Sequence, residues 1–328
     1  MPTTPQLLRP LEYITDATRH VKNATTRVSF LSMIIADDAS TNEFIEALCE
    51  AATRGIRVEV AADIFTYGEL GGFFIPSRYR TRQSRNTTSL VKRLKKCGVK
   101  FTWLGRSKAT IFSGRTHIKW CVIDNIVYTF GGVNLYEKGA SHQDYMLKIT
   151  DKKLADRLVL EYKRLKRADS RDRPYRSISF DHELGTILID GGFFGDSIIY
   201  RRACKLAAEA SSVVFVSQYG PTGKLSKLLS RTSHTLYFNP PELTNSLNRL
   251  VIKIGMLFSG HTSSYKKSHY IHAKFILFTM PNGRVVALTG SHNFVHGGVI
   301  LGTREIALET ENPTVIKALQ DFLAESIA

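Results

Sequence analysis

Carboxylates are scarce in this 328-residue chain, with 29 Asp and Glu against 45 Lys and Arg and a net charge of +16. The shortage is local. From Leu70 to Ile123 there are 13 Lys and Arg and no Asp or Glu. A window of that size points to an anionic partner, either lipid headgroups or nucleic acid. Cysteine is also sparse. Cys49, Cys97, Cys121 and Cys204 show no metal-ligand spacing, which argues against a disulfide framework or zinc site and suits reduced thiols in the cytoplasm. No His, Cys and Asp cluster has metal spacing, so no metal cofactor is expected. No apolar run is long enough to span a bilayer, and Met1 to Pro10 has no signal-like apolar stretch. The expected location is cytoplasmic, peripheral to any membrane.

The basic window opens on apolar residues, Gly71-Gly72-Phe73-Phe74-Ile75-Pro76, and continues through Arg78, Arg80, Arg82 and Arg85. Phe73 and Phe74 beside these arginines suit a loop that dips into an anionic membrane interface. A buried loop packing two phenylalanines is the bland alternative.

Strand and helix signals alternate along the chain. Residues 12–24 read as helix, Arg27 to Ile35 as strand, Thr41 to Thr53 as amphipathic helix and Ile56 to Ala61 as strand. A helix at Leu90–Cys97, a strand at Lys100–Leu104 and a helix at 153–167 follow. The second half reads as helices near 196–210, 222–230, Asn245–Met256 and 313–327, with strands at Val213–Gln218 and near Thr235–Phe238. Such alternation predicts a layered α/β fold with mixed sheets. Ala168 to Arg176, polar and broken by Pro174, reads as a linker. It separates two expected domains, 1–170 and 171–328.

Two strings repeat one another chemically. His117-Ile-Lys119 is followed by Asp124, then Gly131-Gly132 and Asn134; His272-Ala-Lys274 is followed by Gly290-Ser291 and Asn293. The two histidines lie 155 residues apart. Side chains at i and i+2 of a strand share a face, so each copy would present an imidazole and an ammonium together. Histidine serves as nucleophile or general acid and base near neutral pH, and lysine is a compact cation for a phosphate oxygen. Gly132 and Ser291 are small enough for close backbone approach to a phosphate. Asn134 and Asn293 can donate amide hydrogen bonds to it. The other eight histidines lack this context and read as structural, although His269 and His292 flank the second motif and could reach substrate.

This pattern resembles the phospholipase D superfamily. The first copy fits its signature fully: His117, Lys119, Asp124, Gly131, Gly132 and Asn134. The second has Thr279 in place of the Asp. Within the superfamily, the stretch from His117 to Asp144 looks most like bacterial cardiolipin synthases. The resemblance implies two α/β lobes related by a pseudo-twofold axis, each a mixed β-sheet flanked by helices, with both HxK motifs meeting at the interface. It also implies that Asp144 and Glu305 orient the histidines and that one histidine attacks phosphorus to form a phosphohistidine while the other is the acid and base; His117 is taken as the nucleophile and His272 as the acid and base, with the reverse assignment as the alternative. One chain then supplies both halves of the site, so the catalytic unit is expected to be monomeric.

The resulting expectation is a phosphodiester-cleaving phosphatidyltransferase or phospholipase D acting on glycerophospholipids. The alternative is a nuclease or phosphodiesterase of the same superfamily acting on nucleic acid. A non-catalytic binder of anionic surfaces would not need two intact HxK motifs.

Overall fold

The computed structural model describes residues 4–71, 81–105, 114–244, 249, 252–253, 256 and 260–328. Phe73, Phe74, Arg78, Arg80 and most of the expected Asn245–Met256 helix lie outside those residues. Contacts divide the chain into two compact units. The first holds the chain up to Thr129 with Val133–Ser141 and Met146–Tyr175. The second holds Phe130–Gly132, His142–Tyr145 and Arg176–Ala328. Two short pieces from the first half of the sequence therefore belong to the second unit.

In chain order, the first unit has β1 (Gln6–Leu8), α1 (Pro10–Lys22), β2 (Arg27–Ser32), α2 (Asn42–Thr53), β3 (Arg57–Asp63), α3 (Thr66–Gly71), α4 (Arg82–Lys96), β4 (Lys100–Leu104), β5 (Trp120–Ile123), β6 (Ile126–Thr129), α5 (Glu137–Ala140), β7 (Met146–Thr150) and α6 (Lys152–Ser170). The second has β8 (Ile178–His182), β9 (Gly185–Ile189), α7 (Ile198–Glu209), β10 (Ser212–Val216), α8 (Gly223–Leu229), β11 (Ser233–Tyr237), β12 (Phe275–Thr279), β13 (Val285–Gly290), α9 (His296–Ile300), β14 (Ile306–Thr310) and α10 (Pro313–Phe322). The mixed α/β class is as the alternation implied.

The duplication extends to topology. The first sheet runs β1-β7-β6-β5-β2-β3-β4, and the second runs β11-β10-β12-β13-β14-β9-β8. Six strands correspond in order: β1-β7-β6-β5-β2-β3 matches β9-β14-β13-β12-β10-β11. Pairing sense matches too: β2 is parallel to β3 and antiparallel to β5, and β10 is parallel to β11 and antiparallel to β12. Each sheet adds one edge strand of its own, β4 beside β3 and β8 beside β9.

In the first unit, Val28, Phe30, Val58 and Val60 on one sheet face pack against Tyr13, Ala17, Phe44, Leu48, Leu90 and Leu94 of α1, α2 and α4. The other face takes α6, which touches β4, β5 and β6 and buries Leu154, Leu158, Tyr162 and Leu165. Local chemistry starts these helices. Pro10 occupies the first turn of α1, the Asp151 side chain accepts from Leu154 N at 2.9 Å, and Asn312 accepts from Thr314 N and Val315 N at the head of α10.

Several readings of the sequence need correction. The helix expected at Leu90 begins at Arg82, because Thr81 caps it by accepting from Ser84 N at 3.0 Å. The linker reading began at Ala168, but α6 continues through Ser170, held by Asp169 (below). Strands β1, β7, β8, β9 and β14 went unread: each is three to five residues long; β1, β7, β9 and β14 have partners distant in sequence, and among the described residues β8 pairs only with the adjoining β9. The last helix ends at Phe322 and widens into a π turn over Leu323–Ile327.

Candidate active site

Both HxK strings were expected on strands, yet each sits in the extended lead-in just before one. Regular pairing of β5 with β2 stops at Trp120 opposite Leu31, and β12 begins at Phe275. His117–Lys119 and His272–Lys274 thus lie where the ladder has ended. The two copies have the same internal geometry. Lys119 Nζ donates to the His117 carbonyl at 2.7 Å, and Lys274 Nζ donates to the His272 carbonyl. Both ammonium groups are almost fully enclosed, and both histidines are buried with a small exposed fraction. Burial pulls the Lys274 pKa down to about 8, against the upward pull of the Asp144 and Glu305 carboxylates.

Asp144 belongs to the second unit and sits against His272. His272 Nδ1–H donates to Asp144 Oδ2 at 2.6 Å, and the N–H groups of Gly132 and Tyr145 donate to Asp144 Oδ1 at 3.1 and 2.8 Å. The segment carrying Asp144 is stitched to the second motif: His272 N and Ala273 N both donate to the Gln143 carbonyl at 2.9 Å, and Gln143 N donates to the Tyr270 carbonyl at 2.9 Å. Tyr145 and Thr289 hydroxyls meet at 2.5 Å, and Thr289 Oγ1 donates to the Phe130 carbonyl at 2.9 Å. Gly132 has to be glycine here. A Cβ would fall 2.7 Å from Asp144 Oδ2, 2.8 Å from the His272 carbonyl and 2.9 Å from Lys274 Nζ.

The corresponding acid, Glu305, is buried and accepts from Ser291 Oγ, while Ile306 N donates to that same Ser291 Oγ at 3.0 Å. Gly132 by its N–H and Ser291 by its hydroxyl therefore each grip an acidic residue. Asn134 accepts through Oδ1 from Ser32 Oγ and Ile34 N, both at 3.3 Å, which leaves its NH₂ as the donor end. In the second unit Ser217, the counterpart of Ser32, donates to the Asn293 backbone carbonyl at 3.0 Å.

Residues 18–166 match the model of the family described as cardiolipin synthase, PLD-like domain. A phosphatidylserine synthase structure from Haemophilus influenzae superposes with a TM-score of 0.73 at 14% identity, covering 99% of this chain and 87% of that one. The family match thus covers 18–166, somewhat under half of the chain, and the superposition shows a shared fold. A polyphosphate kinase from Porphyromonas gingivalis superposes with a TM-score of 0.60 at 14% identity; 99% of this chain is covered, and it spans half of that kinase's length. At such identity these two likenesses are of fold. No curated protein matches the chain in sequence.

The Thr279 that stands in the second motif where the first has Asp124 has a structural account. Asp124, at the far end of β5 from His117, accepts from Thr25 N, Thr26 N and Arg27 N at 2.8–3.0 Å and from both threonine hydroxyls. Those bonds hold its pKa down at about 2 despite partial burial. It ties the entry of β2 to the end of β5. In the second unit the Thr279 backbone carbonyl does this, accepting from Ser211 N at 2.8 Å and Ser211 Oγ at 2.9 Å just before β10. A backbone acceptor makes the second carboxylate unnecessary for that tie.

A second matched pair was invisible in the sequence. Asp63 ends β3, and Asn239 occupies the corresponding place after β11. Asp63 Oδ2 accepts from Thr116 N at 2.8 Å, and Asn239 Oδ1 accepts from Ile271 N at 2.8 Å while its Nδ2 donates to the Ile271 carbonyl at 2.7 Å. Thr116 and Ile271 are the residues immediately before the two motif histidines. Asp63 is fully buried; burial raises its pKa against the Arg115 guanidinium, which bonds it at 2.9 Å. Arg115 also donates to the Gly105 carbonyl, and Gly105 N donates to Asp169 of α6 at 3.0 Å.

The remaining histidines divide differently from expectation. His142, read as structural, has its ring centroid 5.4 Å from that of His272 and 4.8 Å from that of Tyr270. His292 turns into the core, with its ring against Phe294 and Tyr200, and burial lowers its pKa. His269 is exposed. Arg82 and Arg85 lie exposed in the first turn of α4. Among the described residues no helix is long and apolar enough to cross a membrane, and no group of His, Cys, Asp and Glu could hold a metal ion.

Proposed function

We propose that this chain is a phosphatidyltransferase that cleaves and re-forms phosphodiesters of glycerophospholipids through a phosphohistidine, like a cardiolipin synthase. The two domains, 1–170 and 171–328, each carry one HxK motif. The lone pair of His117 Nε2 attacks phosphorus and forms a P–N bond. The P–O bond to the leaving alcohol breaks, and that oxygen takes the proton of His272. His272 then removes the proton of an incoming alcohol or water. The incoming oxygen attacks phosphorus, the P–N bond breaks and His117 is restored. Lys119, Lys274, Asn134 and Asn293 hold the non-bridging oxygens, where charge must be stabilised. Asp144 orients His272, and Glu305 has the corresponding role for His117.

The observation that carries this reading is the repeated His–Lys clasp, completed in the second unit by the Asp144–His272 bond. An Asp accepting from Nδ1–H fixes the imidazole's orientation and stabilises the imidazolium, which suits His272 as the acid and base. The strong basic bias of Leu70–Ile123 favours a second reading, a nuclease of the same superfamily.

A parallel assay separates the two: purified protein on phosphatidylglycerol vesicles and on single- and double-stranded nucleic acid, all in EDTA. Lipid turnover that persists in EDTA is expected. His117→Ala and His272→Ala should each lower it by several orders of magnitude, and the double variant should be little worse than either single one, because the two groups act as a unit. Cleavage of nucleic acid alone would hand the site to the nuclease reading. Full activity in either single variant would sink both.

A further inference from the structure

Large apolar side chains rarely stand exposed in clusters without a reason. Among the described residues six are exposed: Leu11, Leu160, Phe193, Phe194, Ile300 and Leu301. Four of these six lie in the second unit, on the loop before α7 and at the C-terminal end of α9. Phe194 is 67% exposed, Ile300 53% and Phe193 44%. The loop and the helix end are packed backbone to backbone. Gly195 N donates to the Val299 carbonyl at 2.9 Å, and a Cβ on Gly302 would meet the Gly192 carbonyl oxygen at 2.6 Å. Phe193-Phe194 and Ile300-Leu301 are therefore presented together on a rigid base.

A cleft of about 520 Å³ adjoins them, sharing Gly195 and Val299 and lined by Arg201, Lys205, Lys224 and His296. Arg201 is paired with Asp196. Lys205 and Lys224 form no ion pair among the described residues. No carboxylate lines the cleft. The sequence around the tip, Gly191-Gly192-Phe193-Phe194, repeats the Gly71-Gly72-Phe73-Phe74 that opens the basic window.

We propose that Phe193, Phe194, Ile300 and Leu301, with the basic cleft beside them, form a docking surface for an anionic phospholipid bilayer. The aromatic and aliphatic tips enter the headgroup–acyl boundary, and Lys205, Lys224 and Arg201 face the lipid phosphates. Charge complementarity selects this occupant: a second copy of a chain of charge +16 would bring cations against cations. The surface builds on the lipid reading of the active site by adding the contact that holds the enzyme at its substrate, and binding tests it independently of turnover.

The experiment is sedimentation of the full chain with vesicles of phosphatidylcholine alone or mixed with phosphatidylglycerol, across a salt series. Phe193→Ser with Phe194→Ser should weaken partitioning onto mixed vesicles by roughly tenfold or more at every salt concentration, because apolar transfer is not screened. Lys205→Ser with Lys224→Ser should weaken it at low salt and converge on the unaltered protein at high salt. Phe194→Trp should gain fluorescence quenched by lipids brominated in the acyl chain. Turnover of a soluble short-chain phosphatidylglycerol should be unchanged in all three. Unaltered partitioning in both double variants overturns the proposal. So does unaltered partitioning accompanied by lost single-stranded DNA binding, or by a shift from dimer to monomer. If the variants lose vesicle binding while the unaltered protein turns over no lipid, the docking surface stands and the phosphatidyltransferase reading falls.

Discussion

His272 Nδ1 lies 2.6 Å from Asp144 Oδ2, and in the proposed mechanism that bond sets how His272 reacts. Nδ1–H is committed to Asp144, and in the proposed mechanism the negative charge steadies the imidazolium once it forms. Asp144→Asn keeps an acceptor but removes that charge. Turnover should fall about 10–100-fold, the range seen when a histidine loses its orienting partner in metal sites and carried over here by analogy. A stopped assay beside a thermal melt checks this; unchanged kcat in a folded variant would remove Asp144 from the mechanism. Lys274 makes a second residue-scale prediction. Burial brings its pKa from the ordinary 10.5 down to about 8, so it is cationic below that pH and neutral above it. If it holds a phosphoryl oxygen, kcat/KM should decline as pH rises through about 8. The sign for stability is opposite. The folded state holds this proton less tightly than the unfolded chain, so between about 8 and 10.5 the group adds stability as pH rises. Activity lost without unfolding in that window identifies Lys274; a flat profile to pH 10 counts against its role.

The motif lead-ins are elements without a ladder, and something must hold them. In the first unit the Asp63 carboxylate does so through Thr116; in the second, the Asn239 amide does so through both backbone groups of Ile271. Asn239→Ala leaves the buried Ile271 N–H and carbonyl without those partners, at about 1–3 kcal/mol for an unsatisfied buried group. It should lower the melting temperature and also lower kcat with little change in KM, because His272 shifts while the substrate surface remains. Asn239→Asp can restore the bond to the Ile271 N–H but not the bond to its carbonyl, and should recover part of kcat. A variant that loses stability but keeps kcat would show that Asn239 only supports the fold. Neither residue was legible in the sequence. Asp63 lies 53 positions before Thr116, Asn239 lies 32 before Ile271, and the two are of different types. Only strand register makes them counterparts. His117, Lys119, His272 and Lys274 were legible because the same types recur at the same spacing in each half.

Across the whole molecule, duplication is the organising fact, and the sequence carried most of it. The paired HxK and Gly-x-Asn strings, the alternating strands and helices and the basic excess all follow from residue order. Side-chain period and charge are local properties that need no partner to be read. The six-strand correspondence between the sheets and the passage of Phe130–Gly132 and His142–Tyr145 into the second unit were decided only by tertiary structure. Each depends on hydrogen bonds between residues far apart in the chain, and no local pattern encodes which strand a short apolar run will meet. The same holds for the exposed Phe193-Phe194 tip beside Ile300-Leu301. Sequence gives each pair its apolar character, whereas only folding determines that neither is covered and that both stand side by side.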